Sequence, residues 1–188
     1  MLTFLGYTLV FLALLVSVYL VIRPEDSSEP LVRTTSMAAQ SAPFILLAAS
    51  FLIEAKTLDL VSRYVGEGLP PSYRISAVWG SRSGPLLMWA SMMSVISWVM
   101  SRDPMIDRTT IRVMHSWTTI LLLVSAALRP FSPATPGFSG EISPLLQTDL
   151  MVIHPPVVFV YYSLCLATAS IAMTGLISAR PSKDTHDS

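Results

Sequence analysis

Five windows of this 188-residue sequence hold no Asp, Glu, Lys or Arg: 1–22, 34–53, 83–101, 113–128 and 150–179. All 12 basic and 12 acidic residues are crowded between them. A bilayer core about 30 Å thick asks for about 20 such residues per helix, and a soluble domain has no way to bury this many uncharged stretches. The sequence therefore predicts an all-α, polytopic membrane protein, with one membrane domain over 1–188. The net charge of zero, with Lys and Arg scattered, leaves no electrostatic footprint for nucleic acid. The single cysteine, Cys165, excludes an internal disulfide framework and a CxxC redox or metal pair.

The windows place spans at about 2–22, 36–54, 85–100, 114–128 and 156–178. The first is too long for a signal-peptide core and runs into Arg23-Pro24-Glu25-Asp26 without a small-x-small cleavage site. Pro43 predicts a helix start or a kink in the second span. Pro85, and later Pro155-Pro156, suit the first turn of the helices they precede. Arg23, Arg33, Arg102, Arg108, Arg112, Arg180 and Lys183 lie in the short connections on one side. Lys56, Arg63, Arg74, Arg82 and Arg129 are spread over two long loops, 55–84 and 129–155, on the other. The denser positive charge predicts an extracytoplasmic N-terminus and a cytoplasmic C-terminus. Within the first loop Leu58, Val61 and Val65 recur at helical spacing, which reads as an amphipathic helix on the outer surface or as a plain connector.

The three histidines are His115, His154 and His186. His186 lies in a polar tail and reads as solvated. His115 falls at the inner end of the fourth span beside Trp117. It is either a haem ligand or an imidazole that hydrogen-bonds a neighbour or reaches the interface. His154 stands at the outer boundary before Pro155 and Pro156. The first proline predicts an extended His154 backbone, and the two rings would hold the imidazole rigidly at the rim, as an axial donor to iron requires.

Two segments give that reading its context: Trp79-Gly80-Ser81-Arg82-Ser83-Gly84-Pro85-Leu86-Leu87-Met88-Trp89, and Pro144-Leu145-Leu146-Gln147 followed, after six residues, by His154-Pro155-Pro156 and Tyr161-Tyr162. In order and spacing they resemble the CcmF-type cytochrome c haem lyases of the haem-handling superfamily. Those proteins carry Trp-Gly-Gly-His-Glu-Gly-Ser-x-Leu-Leu-Trp, then Asn-Pro-Leu-Leu-Gln-Asp and His-Pro-Pro-Leu-Leu-Tyr-x-Gly-Tyr. Trp79, Gly80, Gly84, Leu87 and Trp89 match the first motif; Pro144, Leu145, Leu146, Gln147, His154, Pro155, Pro156 and Tyr162 match the second. Ser81-Arg82-Ser83 replaces Gly-His-Glu, and Thr148 replaces the Asp.

The resemblance implies that His154 is an extracytoplasmic axial ligand of haem in transit to apocytochrome c. Trp79 and Trp89 would offer aromatic surface to the porphyrin, and Arg82, Arg74 or Arg129 would pair with its propionates, or with lipid headgroups. The family's tryptophan-rich segment, second extracytoplasmic histidine and transmembrane haem ligands do not occur in this sequence. The expectation is the N-terminal part of a split lyase, a subunit with no catalytic residue of its own. Its partners would be a second membrane subunit carrying those features, the apocytochrome, a haem chaperone and thiol-handling maturation proteins. Two other readings stay open: half of a membrane transporter, or a structural anchor of a respiratory complex. Cys165, within the fifth span, reads as an apolar filler.

Overall fold

The computed structural model describes residues 1–137 and 139–178; His186, Arg180 and Lys183 lie outside them. Among the described residues there are seven α-helices and no strand: α1 (Leu2–Ile22), α2 (Pro30–Leu52), α3 (Asp59–Tyr64), α4 (Pro71–Gly80), α5 (Gly84–Met100), α6 (Arg108–Ala127) and α7 (Asp149–Ser178). Short 3₁₀ turns occupy Pro24–Ser28 and Pro144–Leu146. By length and composition α1, α2, α6 and α7 can each cross a membrane, and α4 with α5, bent by 92° at their junction, make a fifth candidate span.

Local chemistry moves several helix ends away from the edges of the uncharged windows. Pro30 starts α2 at a position where its missing N–H costs nothing, and Pro43 is buried inside that helix. Asp107 starts α6 by accepting a hydrogen bond from Thr109 N at 2.7 Å. The windows register only charge, so they miss turns whose exposed face is charged. α7 shows the largest difference. It begins at Asp149, so His154, Pro155 and Pro156 all lie inside it.

The core is a four-helix bundle in which α1 and α5 each pack on both α2 and α6. α7 lies outside it, against α5 and α6. Its buried residues are Ser163, Ala167, Ser170 and Thr174, small side chains at helical spacing that allow close approach. The rest of its surface is largely open, including Val157, Tyr161, Leu164, Ile171 and Leu176.

At the end of the bundle that carries His154, the two long loops are joined into one cap. Asp59 N donates to Ser132 O at 2.9 Å, Ala134 N to Thr57 O at 2.9 Å, Gly140 N to Ser62 O at 2.9 Å and Ile142 N to Tyr64 O at 3.0 Å. Helix α3 does form where Leu58, Val61 and Val65 recur, but these side chains are 0, 0 and 1% exposed. They face the protein core and not a lipid surface, because the second loop covers them. Phe131 drives the cap into the bundle: it is fully buried and meets Tyr7 edge-on, with ring centroids 6.3 Å apart. Gly6 makes room for it, since a Cβ there would lie 2.1 Å from Phe131 Cγ. At the other end, the Pro24–Ser28 turn and the 101–107 connection close the bundle near Arg33.

Phe131→Ala should cost about 3–5 kcal/mol, and Gly6→Leu about 1–3 kcal/mol through overpacking. Combining them should recover part of the loss, because the new leucine fills the space vacated by the ring. Thermal unfolding of the detergent-solubilised protein measures this. A double variant that melts no higher than Phe131→Ala alone would contradict the packing described.

Candidate functional site: the first turns of helix α7

Proline at position 155 removes the amide that would bond to the carbonyl four residues earlier, at Met151. A buried carbonyl left in that state costs about 1–3 kcal/mol. Here Trp79 supplies the missing donor: its Nε1–H bonds to Met151 O at 2.6 Å. Helix runs through Pro155 and Pro156, with the carbonyl left by the first of them satisfied in this way, and His154 is helical, not extended as the proline rule alone predicts. The helix start is fixed by Thr148, whose Oγ1 accepts from Met151 N at 3.3 Å, an N-cap of ordinary kind. Gln147 Nε2 donates to Ile142 O at 3.2 Å, tying the approach to α7 to the buried Ile142.

One turn further on, Trp89 packs between Phe159 and Tyr162, with centroids 5.8 and 5.7 Å away. Phe159 and Tyr162 meet edge-on at 6.0 Å. Both tryptophans thus bind α7 from the bundle side, Trp79 through its N–H and Trp89 through its ring faces. The aromatic surface left open beside His154 comes from α7 itself, where Tyr161 is 62% exposed. The His154 imidazole is exposed and has no hydrogen-bond partner among the described residues. A free, outward imidazole on a braced helix suits an axial ligand, which must give its nitrogen lone pair to a metal. Among the described residues no group of three or more His, Cys, Asp or Glu could hold a metal ion.

The remaining residues named from the sequence separate. Gly84 is structural: a Cβ there would lie 1.9 Å from Val78 O, so glycine permits the tight bend between α4 and α5. Gly80 is in ordinary contact distance of Ile142, at 3.5 Å from the position of a Cβ. Arg74 is engaged, with Glu54 at 2.7 Å and Leu69 O at 2.6 Å. Arg82 and Arg129 line a cleft with Arg63, Asp59 and Tyr64, to which α7 contributes no wall. His115 is buried, with Nδ1 3.3 Å from Gln40 Nε2. Reasoning from motifs missed Met151 and Thr148. Their signals were available: a proline always leaves a carbonyl four residues back without its amide, and a threonine before an uncharged window is a cap.

The family model described as Cytochrome C assembly protein matches residues 79–187, which begins at the tryptophan that bonds to α7. The cytochrome c-type biogenesis protein CcmF of Escherichia coli (strain K12) is 28% identical over 148 residues, covering 73% of this chain and 23% of that protein. CcmF of Pseudomonas aeruginosa is 30% identical over 144 residues, 70% of this chain and 22% of that one. The probable cytochrome c-type biogenesis protein NrfE of E. coli is 27% identical over 144 residues, 71% and 26%. The chain spans about a quarter of the length of these relatives. No solved structure matches it.

Trp79→Phe keeps the ring and deletes the N–H, and should loosen the start of α7 by about 1–3 kcal/mol. Amide hydrogen exchange over 149–158 should accelerate by about tenfold or more, while α1, α2, α5 and α6 remain as protected as before. Unchanged exchange in that segment would show that the indole bond does not hold the helix.

Proposed function

The chain belongs to the cytochrome c assembly protein family, and we propose that it is the part of a haem lyase that binds haem at the extracytoplasmic face through His154 and presents it for covalent attachment to apocytochrome c. The observation that carries this reading is the imidazole of His154, exposed and without a hydrogen-bond partner among the described residues, on a helix whose proline-interrupted start is bonded to Trp79. The role in cytochrome c maturation and the membrane location follow from the family and from the spanning helices.

In this proposal each residue acts by placement. His154 supplies one axial nitrogen. Trp79 and Trp89 hold α7 so that the imidazole keeps one height and direction, and Tyr161 extends the apolar surface around it. Thr148, Gln147, Pro155 and Pro156 set where the helix starts and how its first turns run, and Gly80 and Gly84 place the α4–α5 bend behind Trp79. Arg82 and Arg129 are the arginines at this end with no acidic partner bonded to them among the described residues, and Arg is suited to carboxylates such as propionates. The haem, as cargo, brings the vinyl groups to which the thiols of a CxxCH segment add. The protein brings proximity and orientation, which lower the barrier by removing the entropy cost of encounter.

The second axial ligand and a tryptophan-rich floor belong, in this reading, to the part of the relatives' length that the chain does not span, carried by a partner subunit against the open face of α7. That face is also where an apocytochrome and the haem-delivering proteins would approach. The orientation places the His154 end outside and the Arg33 end in the cytoplasm, following the bias of positive charge.

His154→Ala in the assembled complex should abolish or shift the haem Soret band and stop cytochrome c maturation, while membrane levels of the protein stay unchanged. Normal maturation in that variant would exclude His154 as a ligand; a complex without any Soret band would favour a transporter or a structural anchor. For orientation, alkaline phosphatase fused after Pro136 should be active and after Asp103 inactive. The reverse pattern would invert the topology.

A further inference from the structure

The bundle contains a second polar site, well away from α7. His115 is 5% exposed and Gln40 1% exposed, and they meet at 3.3 Å through His115 Nδ1 and Gln40 Nε2. The contact joins the Gln40 amide to the Nδ1 edge of the ring. Around this pair α5 contributes Ser94 and Ser97, each 1% exposed. Three buried polar atoms here have no partner: Gln40 Oε1, Ser97 Oγ and Arg33 Nε. In a membrane-spanning bundle such atoms have no solvent to satisfy them, and each costs free energy unless something fills the space between them.

That space exists. Gln40, Ser97, Arg33 and His115 line a common cavity. The centre of a water-sized sphere can move within about 10 Å³ of it, which is room for about one ordered water and far too little for a porphyrin. The unpartnered groups include a donor, an acceptor and a hydroxyl, a set that water satisfies and a simple anion or cation does not. The cavity shares Ser27 and Ser101 with a second one whose walls include the exposed Ser28, Asp103, Pro104 and Arg108. Arg33 stands at the junction, its Nη1 donating to Ser101 O at 3.3 Å. In the opposite direction Leu47, Met93 and Leu122 are fully buried, alongside Thr118 and Ser125.

We propose that this cavity is a hydration site and that His115 exchanges protons through it with the Arg33 end of the bundle. The path runs from the His115–Gln40 pair past Ser97 to Arg33 and Ser101, then by Ser27 into the vestibule at Asp103 and Arg108. The charged groups along it are Arg33, Asp103 and Arg108. On the Pro24–Ser28 turn, Asp26 is bonded to Tyr19 and Glu25 to Arg23, and α1 faces His115 with Ser17, whose Oγ donates to His115 O at 3.2 Å. The ligand of the site is water, and through it the proton. This site stands independently of haem binding at His154.

The test is exchange of the imidazole C2 proton for deuterium, read for each histidine by mass spectrometry, in the full chain with its natural partners in native membranes. His115 should exchange measurably despite its burial, and Ser97→Leu, which fills the cavity, should slow it by about tenfold or more, with His154 exchange unchanged. Arg33→Met, at the junction and partly exposed, gives the same test if Ser97→Leu does not accumulate. No exchange at His115, or exchange indifferent to both substitutions, would each overturn the proposal.

Discussion

The hydrogen bond from the Trp79 indole to Met151 O is the contact on which the position of His154 depends. α7 buries little of its surface, and only its small residues from Ser163 to Thr174 approach the bundle along most of its length. Its first turns are weakened twice over, since Pro155 and Pro156 remove two successive amides from the helix ladder. Without an outside donor the segment would be free to fray, and an axial ligand on a fraying turn has no fixed direction. Trp79 supplies the donor from α4, and α4 is itself held by the bend at Gly84 and by Arg74, whose guanidinium is bonded to Glu54 and to the carbonyl of Leu69.

This bond explains why the two sequence motifs occur together. Trp79 stands in one and Pro155 in the other, 76 positions apart, and neither makes structural sense alone. An indole N–H inside a membrane protein needs an acceptor, and a proline inside a helix leaves an acceptor bare. Ser81-Arg82-Ser83 lies between Trp79 and Gly84, so it occupies the outside of the bend. Arg82 there is exposed and directed to the cleft that Arg63 and Arg129 share, while Ser81 turns inward, its Oγ donating to Val78 O at 2.6 Å.

Much of the architecture was legible because bilayer and backbone impose strong, one-dimensional constraints. Windows without charge located the spanning helices, but the bend at Gly84 depends on a backbone contact with Val78 that a charge pattern does not register. Helix ends were less legible: Arg108 and Arg112 belong to α6 although charge analysis assigns them to a connection, because a helix can carry basic residues on the turns that leave the membrane. The prolines at 155 and 156 misled for a different reason. Local rules assign them to a helix start, and only a donor from residue 79, distant in sequence, allows the helix to begin earlier. The environment of α3 was hidden likewise, since its periodicity shows that an apolar face exists and not what covers it.

The two polar regions divide the molecule in a way that follows from burial. At the His154 end the functional group is exposed and its supports are buried, which suits a ligand that must meet a large, flat partner from outside. At the Arg33 end the imidazole is buried and the charged groups are at the mouth, which suits a species as small as a proton. Leu47, Met93 and Leu122, all fully buried, lie between the two levels. Any influence of His115 on His154 would pass through the helices that reach both: α6, which carries His115 and packs on α7, and α5, which carries Ser97 beside the cavity and Trp89 against α7. The same helices brace both sites, and that gives a change in hydration at one a physical route to the orientation of the other.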